Sequence, residues 1–463
     1  MVAYKNVTQW LDSLILNRFH ALVMFLCGFV LIFDGYDSQV VAYIMPQVMK
    51  EWELTPVVAG SIASYGFAGL MVGAAGFGML ADKIGRKGGL MLALVWFCTF
   101  SGAAAFATNF KIFCVLRFLA GIGMGGAMPI VIALTSEFSP ARIRAKCVTA
   151  MFAGFTTGWA VAGGVAMLVI PVWGWRSALL IGFLPILFLP VLLKWCPESV
   201  RFLAQKNRID EAVKTMRRME ASAGVSPIAW ERQHFVFGAG PAKANFTDIF
   251  KGGLAVMTIL LWFAYFFNLL VTYGLSTWLP TLLVKQGFPI VKSYSYGLVQ
   301  ALGASVGGFA CGALMDKFGR KVGLFICYFL GGFAVWAFGS VTNPASLYII
   351  GGLAGMLIIG AQIGIQVVAG ESYPTHIRTT GAGWVMTIGR IGAILAGVLG
   401  GVLLGWGFTF KQFFIFYAVP CFILSGITLL FKVNKSETLE DIAKRLTTSK
   451  EPDTKRVVIE ATQ

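Results

Sequence analysis

Long apolar stretches separated by short polar connections recur from one end of the chain to the other. A helix of roughly 20 apolar residues crosses about 30 Å of hydrocarbon, and twelve such stretches can be traced. They run approximately from Ala21 to Gln47, Val57 to Leu80, Gly88 to Ala107, Ile112 to Leu134, Ala145 to Ile170 and Ser177 to Leu193, then from Leu254 to Leu283, Gly297 to Leu314, Val322 to Val341, Leu347 to Ala369, Gly381 to Leu404 and Phe413 to Leu430. The expected fold is therefore all-α and membrane-embedded. A charged stretch from Pro197 to Lys251 divides the chain into two sets of six spans, with a helix expected around Arg208 to Met219. The segment after Lys432 is polar apart from a short amphipathic stretch, Leu439 to Leu446.

Composition supports this reading. Of 463 residues, 57% are hydrophobic and only 13% charged, and the mean hydropathy is +0.77; soluble globular domains do not have that balance. The net charge of +16 would suit a nucleic-acid partner, but its placement argues against one. Lys83, Arg86 and Lys87, then Arg142, Arg144 and Lys146, then Lys317, Arg320 and Lys321 fall in alternate loops, on the same side as the basic stretch Arg201 to Lys251. The other side carries only Lys50, Lys111, Arg176, Lys285, Lys292 and Lys411. By the positive-inside rule, both termini and the central loop are expected in the cytoplasm, with the chain in a bacterial inner membrane. The first span is too long for a cleavable leader and has no small-residue cleavage site. The eight cysteines, among them Cys27, Cys98, Cys114 and Cys421, lie in or beside apolar runs and read as buried free thiols. His20, His234 and His376 are too scattered to suggest a metal centre. No cofactor is expected.

A constant shift of 234 residues superimposes the two halves of the sequence. Pro46 falls on Pro280, Asp82 on Asp316, Glu137 on Glu371, Pro140 on Pro374 and Arg144 on Arg378. Gly78 to Lys87 (GMLADKIGRK) falls on Gly312 to Lys321 (GALMDKFGRK). Six spans, a linker and six more spans in the same orientation imply two six-helix bundles related by a pseudo-two-fold axis along the membrane normal, with a cavity between them. The expected organisation is 1–196, a linker at 197–251, 252–432 and a cytoplasmic tail at 433–463.

On these residues the sequence resembles the major facilitator superfamily along essentially its whole length. The resemblance rests on the duplicated loop, the run RFLAGIGMGG from Arg117 to Gly126, the Glu-Phe-Ser-Pro and Glu-Ser-Tyr-Pro elements at Glu137 and Glu371, and the stretch from Pro197. Within it, Phe33 to Pro46 (FDGYDSQVVAYIMP) and Gly389 to Gly392 (GRIG) resemble the aromatic acid:proton symporters. That resemblance implies import of benzoate- or hydroxybenzoate-type acids with protons, and a role for Asp34, Asp37, Asp82, Arg117, Glu137, Asp316, Arg378 and Arg390.

The residues themselves point the same way. A charge at mid-bilayer costs about 2.5–3.5 kcal/mol on insertion scales, so charged residues within spans are functional candidates. Asp34 and Asp37, three residues apart and separated by about 60° around their helix, are expected in the outer half of the first span, with Arg117 of the fourth span at a similar depth. An arginine there favours ionisation of one carboxylate, and repulsion favours a proton on the other. Asp34, Asp37 and Arg117 are therefore proton-coupling candidates, joined by Glu137; the structural alternative is a static ion pair between the first and fourth spans. The acid is not repeated, since Asn268 stands where a second Asp34 would be. Arg390 has no neutralising partner on its own helix and could take a substrate carboxylate bidentately, or pair with a carbonyl or with Glu371.

Tyr36, Asn268, Tyr273, Trp278, Gln362, Gln366 and Trp384, with Arg390 and Arg117, are the candidates for lining an aromatic-acid site; Trp262 and Phe266 lie beside them. Asp82, Arg86, Asp316, Arg320, Glu371 and Arg378 are candidate gates on the cytoplasmic side. The GxxxG pairs Gly154/Gly158 and Gly397/Gly401 would let helices approach closely. The glycines at 121, 123 and 126 follow no strand and are not a dinucleotide site.

Secondary active import by a monomer follows as the expected function. Nicotinate or non-aromatic acid import, drug:proton antiport and substrate sensing without transport are the alternatives. No nucleophile elbow, phosphate loop or metal cluster supports an enzyme.

Overall fold

The computed structural model describes residues 6–235, 246–374 and 377–431. His376, the tail and its amphipathic stretch lie outside the described residues. Among those described there is no strand, and twelve helices are long and apolar enough to cross a membrane: α1 (Arg18–Glu51), α2 (Pro56–Ile84), α3 (Arg86–Phe106), α4 (Phe110–Phe138), α5 (Lys146–Leu168), α6 (Ile170–Trp195), α7 (Ala255–Lys285), α8 (Ile290–Phe318), α9 (Arg320–Phe338), α10 (Pro344–Ser372), α11 (Thr380–Gly405) and α12 (Phe410–Leu429).

Several helices outrun their apolar core because polar caps extend them. Asn17 and His20 form a capping box at the start of α1, Thr55 and Pro56 open α2, and Thr409 with Gln412 forms a second box at α12; each satisfies backbone N–H groups that a helix start leaves unpaired. The duplicated loop is explained by its glycine. Gly85 and Gly319 take φ of 100° and 90°, a region that L side chains rarely adopt, and the chain reverses there directly into α3 and α9. Irregular turns occur in α6, around Gly174 (φ 73°) and Pro185, and in α10, where Gly355–Ile359 forms a widened π turn.

The repeat seen in the sequence is a repeat in packing. In the first half α1 packs on α5 and α2 on α4; in the second half α7 packs on α11 and α8 on α10. Gly154 and Gly158 of α5 lie against the backbone of α1 at Gly28 and Ile32, so this GxxxG pair closes a contact within one half. Gly397 and Gly401 do the other job, pressing α11 onto Gly60 and Pro56 of α2 across the halves. The halves also meet through α5 with α8 and α1 with α7.

These contacts sit on the side away from the linker. Tyr43 packs edge-on against Tyr294, with ring centroids 5.5 Å apart. Gln39 Nε2 donates to the Ser276 carbonyl at 3.4 Å, and Ser64 Oγ to the Ile394 carbonyl at 2.5 Å. The linker forms two helices, Val200–Gln205 and Ile209–Ala223, the second overlapping the expected one. These helices pack on the first half, where Met216, Met219 and Trp230 join Val7, Trp10 and Leu11 of the short N-terminal helix, while the end of the linker, at Ile249 and Phe250, packs on the second half. All eight cysteines are buried free thiols.

Closure of the far side depends on Gly60, since a Cβ there would collide with the Gly397 carbonyl. Gly60→Val is expected to hold the halves apart on that side and to raise maleimide labelling of a cysteine placed at Val57 several-fold; wild-type labelling would show that this contact does not gate.

Candidate functional site

Between the halves, midway along the helices, lies a chamber with a cavity volume of about 90 Å³. Helical spacing supplies its walls. Asp34 and Ser38 come from α1, Tyr265, Leu269 and Tyr273 from α7, Ile359, Gln362, Ile363 and Gln366 from α10, and Met386, Arg390 and Ala393 from α11; each set recurs every three or four residues and so shares one face. Aromatic rings from three helices meet in it. Phe67 lies 4.3 Å from Tyr273, and Trp159 lies 5.8 Å from Tyr273 and 6.0 Å from Phe155.

Among the described residues, Asp34 and Arg390 are the only formally charged ones lining the chamber, and they come from opposite halves. Asp34 is 1% exposed, and its Oδ1 has no hydrogen-bond partner. Arg390 Nη1 donates to the Leu70 carbonyl across the halves at 2.8 Å. Opposite them, the Tyr265 hydroxyl accepts from Gln366 Nε2 at 2.7 Å and from Gln362 Nε2 at 3.5 Å. With both amides donating to it, its own proton is available to an acceptor in the chamber. Trp159 Nε1 donates to Ser38 Oγ at 3.2 Å.

The two aspartates part company. Asp37 faces away from the chamber, where its Oδ1 accepts from Arg117 Nη1 at 2.9 Å and from the Ser101 hydroxyl. Arg117 Nη2 also donates to the Asp37 carbonyl at 3.1 Å, and both side chains are 2% exposed. The α1–α4 ion pair is thus formed, and Arg117 does not line the chamber. The 60° between the aspartates suffices to send one carboxylate toward α4 and the other between the halves. Asp34 lies at the midpoint of α1 and Asp37 one turn beyond it.

Of the expected lining residues, Arg390, Tyr273, Gln362 and Gln366 reach the chamber and five do not, Arg117 among them. The Tyr36 hydroxyl donates to the Ala178 carbonyl at 2.6 Å, tying α1 to α6. Asn268 is fully buried and donates to Tyr328 Oη at 3.0 Å and the Ile358 carbonyl at 3.3 Å. Trp278 Nε1 donates to the Gly397 carbonyl at 3.1 Å, so its ring braces α7 against α11. Trp384 lines a separate cavity nearer the linker and packs against Phe246 at 4.6 Å. Trp262 lies against Phe250 at 5.5 Å, away from the chamber, and Phe266 backs the helix contact at Gly392.

The duplicated loops build matching clusters on the linker side. Arg86 binds Asp82 at 2.8 Å and lies 3.9 Å from Glu137; Arg320 binds Asp316 at 2.8 Å and both Glu371 oxygens at 3.0 Å. Glu371 is thus engaged with Arg320, not Arg390. In the first half, Glu198 accepts the N–H groups of Arg86 and Lys87 at 2.8 and 3.1 Å, capping α3, and Ser199 donates to Glu137. Arg378 Nε lies 3.4 Å from the Tyr373 carbonyl. Each ion pair joins residues of the same half, and Glu198 and Ser199 tie the linker to the first half.

Sequence reasoning missed Tyr265, Trp159, Phe67, Phe155 and Glu198. Tyr265 carried a signal, standing two helical turns before Tyr273 on the same face. The others carried none, because apolar and aromatic residues fill every span. The repeat supplies a further signal: the positions 234 residues from Arg390, Gln362, Ala393, Met386 and Ala304 are Thr156, Met128, Trp159, Phe152 and Leu70, and all of them line the chamber.

Two six-helix halves around a central chamber define a membrane transporter architecture. Comparison with known proteins agrees. The family model described as Major Facilitator Superfamily matches residues 27–389 and 296–459. The chain is 36% identical to the 4-hydroxybenzoate transporter PcaK of Pseudomonas putida, over 90% of this chain and 93% of that one. It is 33% identical to the niacin transporter NiaP of Acinetobacter baylyi, over 94% and 99%, and 33% identical to the benzoate transport protein of the same organism, over 93% and 92%. Its structure is similar to the inward-open xylose transporter XylE from E. coli, with a TM-score of 0.71 at 18% identity over 92% and 99% of the chains. The chain belongs to the Major Facilitator Superfamily, and it is a transporter rather than an enzyme.

Breaking a buried ion pair by removing one partner costs about 3–5 kcal/mol. Asp37→Asn and Arg117→Gln are therefore expected to lower the thermal unfolding midpoint in detergent by several degrees, while Asp34→Asn leaves it within a degree or two. Equal effects at the two aspartates would mean that Asp37 is not the structural member.

Proposed function

We propose that this protein imports small aromatic carboxylates together with protons, by alternating access, across a bacterial inner membrane with its termini and linker in the cytoplasm. One observation carries the reading: a half-buried guanidinium and a buried carboxylate with one oxygen free of hydrogen bonds line an aromatic-walled chamber from opposite halves. Empty, with Asp34 ionised and Arg390 charged, the chamber is neutral. A bound carboxylate adds one negative charge in a poorly solvated space, and a proton on Asp34 removes it. Anion and proton are each favoured by the other, which is the thermodynamic content of symport. Aromatic walls suit a ring, and Tyr265 with Gln362 and Gln366 suits a polar ring substituent or ring nitrogen. The relatives named for 4-hydroxybenzoate and benzoate support this class, and the one named for niacin makes nicotinate the second reading. The Arg86 and Arg320 clusters act as gates by holding the linker-side ends of the helices within each half. Asp82→Asn and Asp316→Asn are read as shifting the balance between conformations, not contacts with substrate.

The test is binding and transport by the purified protein. In calorimetry against benzoate, hydroxybenzoates and nicotinate, Arg390→Lys is expected to weaken binding by about 1.5–3 kcal/mol, since lysine keeps the charge but loses the planar fork. Unchanged affinity would remove Arg390 from the site.

Asp34→Asn fixes the chamber in the charge state of a protonated aspartate. It is expected to keep equilibrium exchange in proteoliposomes while losing accumulation driven by an inward proton gradient. Retained accumulation would move the proton elsewhere, to Asp37 or Glu137.

A further inference from the structure

Helix α7 meets α11 at the sequence Gly389 to Gly392 (GRIG), where two glycines bracket Arg390 and Ile391. A Cβ on Gly389 would collide with the ring of Tyr265, and one on Gly392 with the Phe266 carbonyl. The bare backbone on either side of Arg390 is thus the seat of α7, and the Tyr265 ring fills the room that a side chain at position 389 would take. From this seat the two polar groups reach different neighbours. Arg390 extends to the Leu70 carbonyl of the first half, whereas the Tyr265 hydroxyl extends to Gln362 and Gln366 of α10. All four side chains line the chamber, which therefore has a cationic end and an uncharged polar end.

The uncharged end has a definite hydrogen-bonding sense. A phenolic hydroxyl has one proton and two lone pairs. Both amides donate to Tyr265 Oη, which itself donates to no described residue, and neither amide oxygen accepts from one. The cluster thus offers the chamber one donor and two acceptors. Turning over one amide would pass the free proton from the phenol to that amide, and the cluster would still offer both senses.

A ring hydroxyl is the group that answers this arrangement, because it accepts one hydrogen bond and donates another. The ring nitrogen of nicotinate accepts only, and leaves the amide oxygens unanswered. An unsubstituted ring answers nothing, and the donor and acceptors lose water without gaining a partner. A site that hydrogen-bonds a substrate hydroxyl rejects the analogue lacking it, whereas an apolar pocket discriminates weakly against an added one.

We infer that Tyr265 is the specificity-determining residue of the chamber: with Gln362 and Gln366 it reads a hydroxyl on the substrate ring while Arg390 holds the carboxylate. Ring-hydroxylated benzoates are then preferred over nicotinate, and nicotinate over unsubstituted benzoate. This rests on the reading that the substrate is an aromatic carboxylate bound at Arg390.

The test is calorimetry on the full-length purified protein with benzoate, 3- and 4-methylbenzoate, 3- and 4-hydroxybenzoate and nicotinate. A methyl group matches a hydroxyl in size and makes no hydrogen bond. Wild type is expected to bind the better hydroxybenzoate about tenfold or more tightly than the matching methylbenzoate, with nicotinate between them. Tyr265→Phe, which removes a single oxygen, is expected to bring that preference within about twofold through weaker hydroxybenzoate binding, while benzoate affinity changes by less than about twofold. Gln366→Leu keeps the phenol but removes one acceptor, and is expected to weaken hydroxybenzoate binding severalfold with benzoate unchanged. A wild-type protein indifferent to the ring hydroxyl, a preference that survives Tyr265→Phe, or an equal loss for every acid in that variant would overturn the assignment and leave the carboxylate reading standing. Failure of wild type to bind any of these acids would overturn the carboxylate reading, and the assignment with it.

Discussion

A charge inside a membrane protein must be neutralised or it costs several kcal/mol, and the architecture of this chain follows from how that constraint is met twice. Arg117 and Asp37 meet it inside one half, with Ser101 and a backbone carbonyl as further partners, while Asp37 Oδ2 and Arg117 Nε stay without a hydrogen bond. Arg390 and Asp34 meet it conditionally, from opposite halves across a cavity, with only the Leu70 carbonyl binding the guanidinium directly. The first arrangement is a lock. The second leaves a carboxylate and a guanidinium whose balance any anion or proton entering the chamber must change, and the proposed coupling rests on that difference.

The contacts between the halves differ from those within them in a way that suits motion. Glycines bring helix backbones into direct contact both within a half and across the halves at Gly60 and Gly397, whereas ion pairs tie loops to helix ends only within a half. Across the halves, the side-chain hydrogen bonds end on helix carbonyls: Gln39 on Ser276, Ser64 on Ile394 and Arg390 on Leu70. Each such carbonyl has a second lone pair and lies in a helical ladder, so losing the extra donor leaves no orphaned acceptor. Halves joined this way can separate at modest cost.

Duplication and divergence are visible in the same residues. The loops that shape the linker side were kept nearly unchanged, glycine included, because the reversal at Gly85 and Gly319 tolerates little else. The chamber positions were kept in place but not in chemistry. Arg390 faces the chamber from the position that Thr156 occupies in the first half, and Gln362 from that of Met128. Asn268, at the position equivalent to Asp34, turned inward to bind Tyr328 and Ile358 and became structural. The asymmetry that a carrier of one anion needs, an acid from one half and a base from the other, is thus laid over a symmetric scaffold.

The sequence alone determined the number of spans, their repeat, the fold, the loop glycines and the short roll of intramembrane charges, because each of these is a property of one segment's composition or of two segments' identity. Which way a residue faces is not such a property. Spacing gives the angle between Asp34 and Asp37 on their own helix, but the rotation of that helix against its neighbours is set where Gly28, Ile32 and Gly35 of α1 meet α5. That rotation turned Asp37 to Arg117 and Asp34 to the chamber, buried Trp278 and Tyr36 in helix contacts, and brought Tyr265 and Trp159 to the site. Aromatic residues line every span, so no local pattern separates the few that meet a ligand from the many that pack. Only the close approach of helix backbones, decided by tertiary packing, makes that separation.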